Sequence, residues 1–534
     1  MLLQPRVKAM LIANATVLVA ALLSVGQVQY SLDHRNTLAQ TQTPGFGQPT
    51  DSASATPSAS PGTTTPGKTP GAAGATAKPG TTTPGGTTPG GPVGGTGPGA
   101  PQTRQANIPD FHLLTQGVTK TSVLIGADYD KTGCGGSGAL ANQFGAAVVG
   151  DPEKAFAAFV RHVNETGGIR GRTLKFVSVD DGGLSCPERH KAAALELVDQ
   201  KKVFLDIAGL QEVSDLLAPR HLPFYGGRAT IAEQNKQGEG QFQLFQDADG
   251  DFANWAAFGR NYLGSKTNTP CLIHPDTPQF NNLEPVLIKK LADQGLKFKT
   301  TIRYADDASS AQQQATTASV KMKGDGCKQV WLVANNAIAD VFFTNAAAQQ
   351  QWYPSWTWTA RTAGIDLALG GRLMDQTEWK NAVGLTTRIK PGQSPLDGQC
   401  AKIYDKYNSG DGQDTSAAVV VACESILTTT EAMKRAVDRT GVLTGSSLML
   451  GVDAIRGDFA WEAFVPLSYV IVPKAGETKD RTGYDLQTVA AWNTSTLDYD
   501  FPQYPKYWKI LGPNGSGWVD IRPSFKLHYT PPKK

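Results

Sequence analysis

KAFAAFVRHVNETGGIRGRTLKFVSVDDGG, residues 154–183, reads as a helix, a stop, a tight turn, a strand and an acidic strand end. Phe156, Phe159, Val160 and Val163 recur at helical spacing and make one face apolar. Gly167 and Gly168 end the helix, where a left-handed residue is cheap for glycine. Gly171 turns the chain into Leu174-Lys175-Phe176-Val177-Ser178-Val179, a β-rich run. Asp180-Asp181-Gly182-Gly183 leaves the sheet at the carboxyl end of that strand, where open α/β sheets hold ligands. In physical terms this is half of a βαβ unit.

As a pattern it is more specific. A helix ending in N-x-x-G-G-I-x-G-R, then a short strand closing on D-D, resembles the first lobe of the type I periplasmic binding proteins. The likeness is to the branch that includes the leucine/isoleucine/valine-binding proteins of ABC importers. The resemblance implies two doubly wound, Rossmann-like α/β lobes with a ligand cleft between them.

At 534 residues the chain is too long for one ordinary core, and two or three units are expected. The net charge is +3, and no basic run tracks nucleic acid. The six cysteines, at 134, 186, 271, 327, 400 and 423, form no CxxC pair, and the histidines show no HxH or HExxH. That pattern argues against a zinc site and, after an export signal, for disulfides.

Arg6 and Lys8 precede an apolar run from about Ala9 to Val25. Residues 1–30 are thus a secretory signal peptide or an uncleaved signal anchor, and both readings stand. Positive-inside bias puts the rest of the chain outside the cytoplasm. Residues 31–109 are a tether, and 40–103 are almost wholly Pro, Gly, Thr, Ala, Ser and Gln. Such a segment cannot offset its ordering entropy. A coil of about 64 residues averages ~45 Å end to end.

The first lobe is read as residues 110–245. Strands at 121–127, 174–179, 203–209 and 222–227 alternate with helices at 154–166, 188–201 and near 212–219, which predicts a parallel sheet. Cys134 and Cys186 lie in loops after adjacent strands, on one edge of a right-handed βαβ unit, so a bridge is within reach. The βαβ rhythm restarts in the second lobe, residues 246–460. A helix at 252–263 precedes strand 270–274, helix 284–294, strand 298–304, helix 309–323 and strand 327–334; helix 417–437 crosses back. Cys271 and Cys327 both precede strands that can be neighbours, which predicts a bridge; Cys400–Cys423 follows by elimination. Residues 461–534, rich in Tyr, Trp and Pro, are expected to pack on the lobes, with Gly517-Trp518-Val519 resembling a closing strand.

The resemblance places ligand groups in loops after successive strands. In the first lobe these are Tyr129, then Gln211, Glu212 and Ser214, then Arg228, Ala229 and Thr230. Ala229-Thr230 matches the small-residue-plus-threonine pattern that holds a ligand carboxylate in amino-acid binders. Gln211 and Glu212 stand where a small polar residue is usual. Arg228 has the geometry for a bidentate anion contact. In the second lobe Phe280 matches an aromatic that stacks on the ligand, and Asn335 and Asn336 follow the next strand. Asp340 is the acid nearest the position that receives a ligand ammonium, one helical step further on. That departure leaves amides, small acids, polyols and aromatic compounds open.

Enzyme readings find no support. There is no GxSxG elbow and no Walker loop, and the glycine runs at 84–99 follow no strand. Asp180-Asp181 reads as a turn cap rather than an acid/base pair. The expectation is a non-enzymatic, extracytoplasmic binding protein, secreted or membrane-anchored, with no cofactor, metal or nucleic acid. Its partners would be a small polar solute and an ABC permease. A sensor ectodomain of the same fold and an envelope adhesion protein are the alternatives.

Overall fold

The computed structural model describes residues 115–131, 149–182, 187–209, 216–217, 220, 222–226, 240–244, 247–305, 310–334, 337–362, 364–380, 382–389, 394–464, 466–469, 471, 475, 481–484, 486–501 and 508–509. All lie in the compact unit Gly99–Lys534. The apolar amino-terminal run, the tether, Cys134, Cys186 and Gly517-Trp518-Val519 fall outside the described residues.

Helix α1, Pro152–Glu165, is capped by Asp151, whose side chain accepts from Lys154 N, and Pro152 opens its first turn. Its buried face is Ala155, Phe156, Ala158, Phe159 and Val163. The chain then turns through Gly167, Gly168, Arg170 and Gly171, all at positive φ. A Cβ on Gly168 would stand 2.2 Å from Arg172 O, so this position demands glycine twice over. Ile169 and Arg172 form an isolated bridge that delivers strand β2, Thr173–Asp180, into full parallel register with β1, Ser122–Tyr129.

The first sheet runs β2-β1-β3-β4-β5, all parallel, with β3 at Leu205–Gly209, β4 at Phe224–Gly226 and β5 at Gln241–Phe242. Helix α2, Pro187–Leu195, continues as a π-helical turn, Glu196–Gln200, and covers one face with Leu197 and Val198. The opposite face receives α1 and helices from much later in the chain: α9 (Gln399–Asn408), α10 (Ala417–Thr440) and α11 (Gly445–Asp453). A short antiparallel ribbon, β11 (Arg456–Phe459) with β12 (Leu467–Ser468), comes after α11.

The second sheet takes β6 (Pro270–Pro275), β7 (Thr301–Tyr304), β8 (Gln329–Leu332), β9 (Ser355–Thr359) and β10 (Val383–Thr386) in the parallel order β10-β9-β8-β6-β7. Helices α3 (Ala248–Asn261) and α4 (Pro278–Asp293) cover one face around Trp255, Phe258, Leu283 and Trp331. Helices α5 (Ala311–Gly324), α6 (Ala337–Gln349), α7 (Ala368–Leu373) and α8 (Gln376–Trp379) belong to the other side, where Trp356, Trp358, Trp379 and Trp492 are buried. The late segment does more than pack on the lobes. Strand β13, Leu486–Asn493, pairs antiparallel with β10, and β14, Asp498–Asp500, pairs with β13. Tyr499 then seals the tryptophan cluster: its hydroxyl accepts from Trp379 Nε1 at 3.0 Å and donates to Ile365 O at 2.6 Å.

Disulfides join Cys271 to Cys327 and Cys400 to Cys423. The first pair sits at the amino ends of neighbouring strands, as expected; the second ties the start of α9 to α10.

Candidate functional site at the facing sheet edges

The chain passes between the two sheets three times. It leaves β5 at its carboxyl end for α3, leaves β10 at its carboxyl end for α9, and returns through residues 481–484 to β13. Because β5 and β10 both feed crossings from their carboxyl ends, those two edges face each other across the hinge. That is where ligands sit in parallel α/β sheets. Two of the crossings are bonded to each other, and the third to the segment between β11 and β12. Gln243 bridges Thr482, Tyr484 N donates to Leu244 O at 3.2 Å, and Ile389 N donates to Ala463 O at 2.9 Å.

On the first sheet's carboxyl edge, Tyr129 stacks on Phe156 with ring centroids 5.7 Å apart, and its hydroxyl donates to Glu153 at 3.2 Å. Lys131 Nζ donates to the same carboxylate at 2.7 Å and to Ser178 Oγ at 2.8 Å. The Lys131 and Ser178 bonds hold the Glu153 carboxyl below its ordinary range. Asp180 caps the strand end, accepting from Lys131 N and Gly182 N, each at 3.0 Å, and pairs with Arg189. Gln211, Glu212, Ser214, Arg228, Ala229 and Thr230 lie outside the described residues, as do Asn335 and Asn336.

On the second sheet's edge the structure moves one expected contact. Helical periodicity in the sequence points to a start at Glu284 for α4, but the helix starts at Pro278. Thr277 caps it, with Pro278 in the first turn and Pro285 inside the helix. Phe280 is therefore a first-turn residue, 1% exposed, facing Phe252, Leu272, Leu283 and Leu287 in the core. Its ring lines a water-sized cavity of about 10 Å³ with His274 and Glu284. The Thr277-Pro278 pair is the legible signal of the earlier start. Asp340 lies in the first turn of α6 and is likewise buried.

Several groups at this edge carry no signal of their own in the sequence. Arg361, just past β9, is buried against Asp251 in the first turn of α3, with Nε 3.3 Å from Oδ2. Asp251 also accepts from Thr359 Oγ1 at 2.9 Å and Gln487 Nε2 at 2.7 Å. The Arg361 guanidinium stands 5.4 Å from the centre of the Phe252 ring. Thr362 Oγ1 accepts from Ala334 N at 3.1 Å and so ties the loop after β8 to the loop after β9. Asp366, pushed up by burial, accepts from Thr386 Oγ1 at 2.6 Å, and its carbonyl accepts from Arg388 Nη1 at 2.9 Å. Only the order "strand, then Arg" in Trp358-Thr359-Ala360-Arg361 hints at this network; its carboxylate is more than a hundred residues earlier in the chain. Among the described residues no cluster of His, Cys, Asp and Glu can hold a metal ion, and no helix is long and apolar enough to cross a membrane.

Two α/β sheets with facing carboxyl edges and three hinge crossings define a two-lobed solute-binding architecture. The family model for periplasmic binding proteins matches residues 137–463, more than half of the chain, and the protein belongs to that family. Its members are extracytoplasmic solute-binding proteins, including the substrate-binding components of ABC transporters. Similar folds occur in solved structures at low sequence identity. A branched-chain amino acid ABC transporter protein from Thermus thermophilus, solved with bound valine, superposes with a TM-score of 0.58 at 13% identity, covering 73% of this chain and 97% of that one. A fatty acid ABC transporter substrate-binding protein from Thermomonospora curvata gives 0.55 at 14% identity over 76% and 96%. An ABC transporter solute-binding protein from Rhodopseudomonas palustris BisB5, solved with 3,4-dihydroxybenzoic acid, gives 0.54 at 14% identity over 74% and 99%. No curated protein sequence matches the chain.

Proposed function

We propose that the protein captures a small polar solute outside the cytoplasm by closing its two lobes, and hands it to an ABC importer of the branched-chain-amino-acid type. The observation that carries this reading is the set of three crossings between facing carboxyl edges, a geometry in which a ligand bridging both edges selects the closed state. Valine, fatty acids and 3,4-dihydroxybenzoic acid, named with the similar proteins, share a carboxylate. We take a carboxylate as the group this cleft receives, with Arg228, Ala229 and Thr230 as its holders. Gln211, Glu212, Ser214 and Tyr129 flank it, and Asn335 and Asn336 close from the second lobe. Where the amino-terminal run is retained as an anchor, the Pro- and Thr-rich tether sets the reach of the domain from the membrane.

The test is a thermal-shift screen of the full chain against amino acids, amides, fatty acids, aromatic acids and sugars. A true ligand at about 100 times its Kd adds ~2.7 kcal/mol of stability. The reading expects a carboxylic acid hit that disappears in Arg228→Ala or Thr230→Ala. A folded protein that responds to no compound in the panel would overturn it.

A further inference from the structure

We infer that the short segment Trp461–Phe464 is the pin of the inter-lobe hinge, and that Glu462 is the positioning residue that seats it on the first lobe. The inference rests on the two-lobed solute-binding reading above. It starts from a helix without its own cap. Helix α9 begins after Gly398, which sits at φ +67° and has no side chain to offer its amino terminus. Glu462, distant in sequence, supplies the missing acceptors: its carboxylate takes Gln399 N at 3.2 Å and Cys400 N at 2.7 Å. Both sulfurs of the Cys400–Cys423 disulfide lie beside the Trp461 carbonyl, at 3.8 and 4.0 Å. The segment is therefore fastened to the first lobe at its backbone and at its one carboxylate.

The same four residues grip two of the three crossings. Ile389 N donates to Ala463 O, and Arg388 bridges Phe464, which holds the crossing that leaves β10. Trp461 Nε1 donates to Tyr484 Oη at 3.1 Å, and the Phe464 ring stacks between Trp461 at 4.8 Å and Tyr484 at 5.9 Å, which holds the crossing that enters β13. Tyr484 N in turn bonds Leu244 O and draws in the third crossing. All three crossings thus move with the first lobe up to Leu244, Arg388 and Tyr484. The second lobe begins at Asp247, Thr386 and Leu486. The pin thus fixes where the first lobe's hold on each crossing ends, at Leu244, Arg388 and Tyr484, the arrangement expected of a hinge. Arg388 straddles the joint: its guanidinium bonds Asp366 O of the second lobe and stands 5.8 Å from the Phe464 ring of the pin.

The test measures the inter-lobe distance in the full chain without any ligand, by electron–electron double resonance between spin labels on bioorthogonal amino acids at Lys175 and Lys289. In the parent protein the pin predicts a narrow distance distribution. Glu462→Ala and Trp461→Phe should broaden it, or displace its mean by more than the parent width. Trp461→Phe keeps an aromatic face toward Phe464 but loses the Tyr484 bond and part of the buried indole volume, so it serves as the second variant if Glu462→Ala fails to fold. Distributions that superpose on the parent's in the folded variants, even with a lowered Tm, would overturn the pin and leave Glu462 a simple helix cap. Because no ligand enters, a carboxylic acid hit in the thermal screen with unchanged distances sinks only the pin. Altered distances with no hit sink only the binding reading.

Discussion

Asp128 and Asp206 lie on neighbouring strands and on the same face of the first sheet, and none of their four carboxylate oxygens accepts a hydrogen bond. Asp206 pairs in register with Gly126, two residues before Asp128. A Cβ on Gly126 would meet Leu197 and Val203, so this face looks into the apolar layer under α2 and its π-helical turn.

Burial is the main force on both acids. It pushes Asp128 from 3.8 up to about 7, with the neighbouring Asp181 charge adding to it, and it raises Asp206 well above the ordinary carboxylate range, with Asp128 adding to it. Protons therefore bind the folded state more tightly than the unfolded chain. The stability they contribute is complete below the ordinary carboxylate value near 4 and is lost as pH rises through about 7. Glu378, pushed up to about 8 by burial, adds a slope of the same sign. Calorimetry should show Tm falling between pH 5 and pH 8, and Asp206→Asn should flatten part of that fall. A Tm that rises over this window in the parent protein contradicts the assignment.

Asp251 and Arg361 form a buried ion pair whose halves come from different lobe-two elements. Truncating one half leaves the other charge buried, so Asp251→Ala should lose about 3–5 kcal/mol in urea unfolding. The apolar double variant Asp251→Leu with Arg361→Met should recover much of that loss, because the buried guanidinium disappears with it. A single variant within about 0.5 kcal/mol of the parent would show that the pair is not a desolvated one.

The two disulfides close loops of different length, with sequence separations of 56 for Cys271–Cys327 and 23 for Cys400–Cys423. Loop-closure entropy then gives ~4.2 and ~3.4 kcal/mol respectively. Replacing each pair by alanine and measuring denaturant midpoints should reproduce that order. The reverse order would mean that Cys400–Cys423 stabilises through its seat beside Trp461 more than through the chain it closes.

Gly168 combines a φ of +62° with a close approach to Arg172 O. Gly168→Ala should therefore destabilise by about 1–3 kcal/mol, by backbone strain and overpacking together. An unchanged denaturation midpoint would show that the turn relaxes freely.

Local chemistry makes the first sheet readable. The apolar periodicity of Phe156, Phe159, Val160 and Val163 marks α1, the glycines from 167 stop and turn it, and a β-rich run comes next; each of these effects acts within a few residues, as does the Asp151-Pro152 start that the structure adds. The same holds for the alternation that implies two α/β units, and for Cys271–Cys327, whose neighbouring strands follow from the βαβ rhythm. Where periodicity is read without the local cap at Thr277-Pro278, an element is misplaced, and Phe280 is expected at a loop while its ring belongs to the core.

Tertiary structure alone decided the rest, because those partners lie far apart in the chain and meet only once the sheets and their covering helices have assembled. Arg361 finds Asp251 more than a hundred residues earlier in the chain, and Tyr499 closes a tryptophan cluster assembled from separate elements. The acids at 128 and 206 look ordinary in their strands until parallel pairing sets them on one buried face. Glu462 has no local task at all; it caps a helix whose first residue lies more than sixty positions earlier, and no periodicity or spacing encodes such a bond.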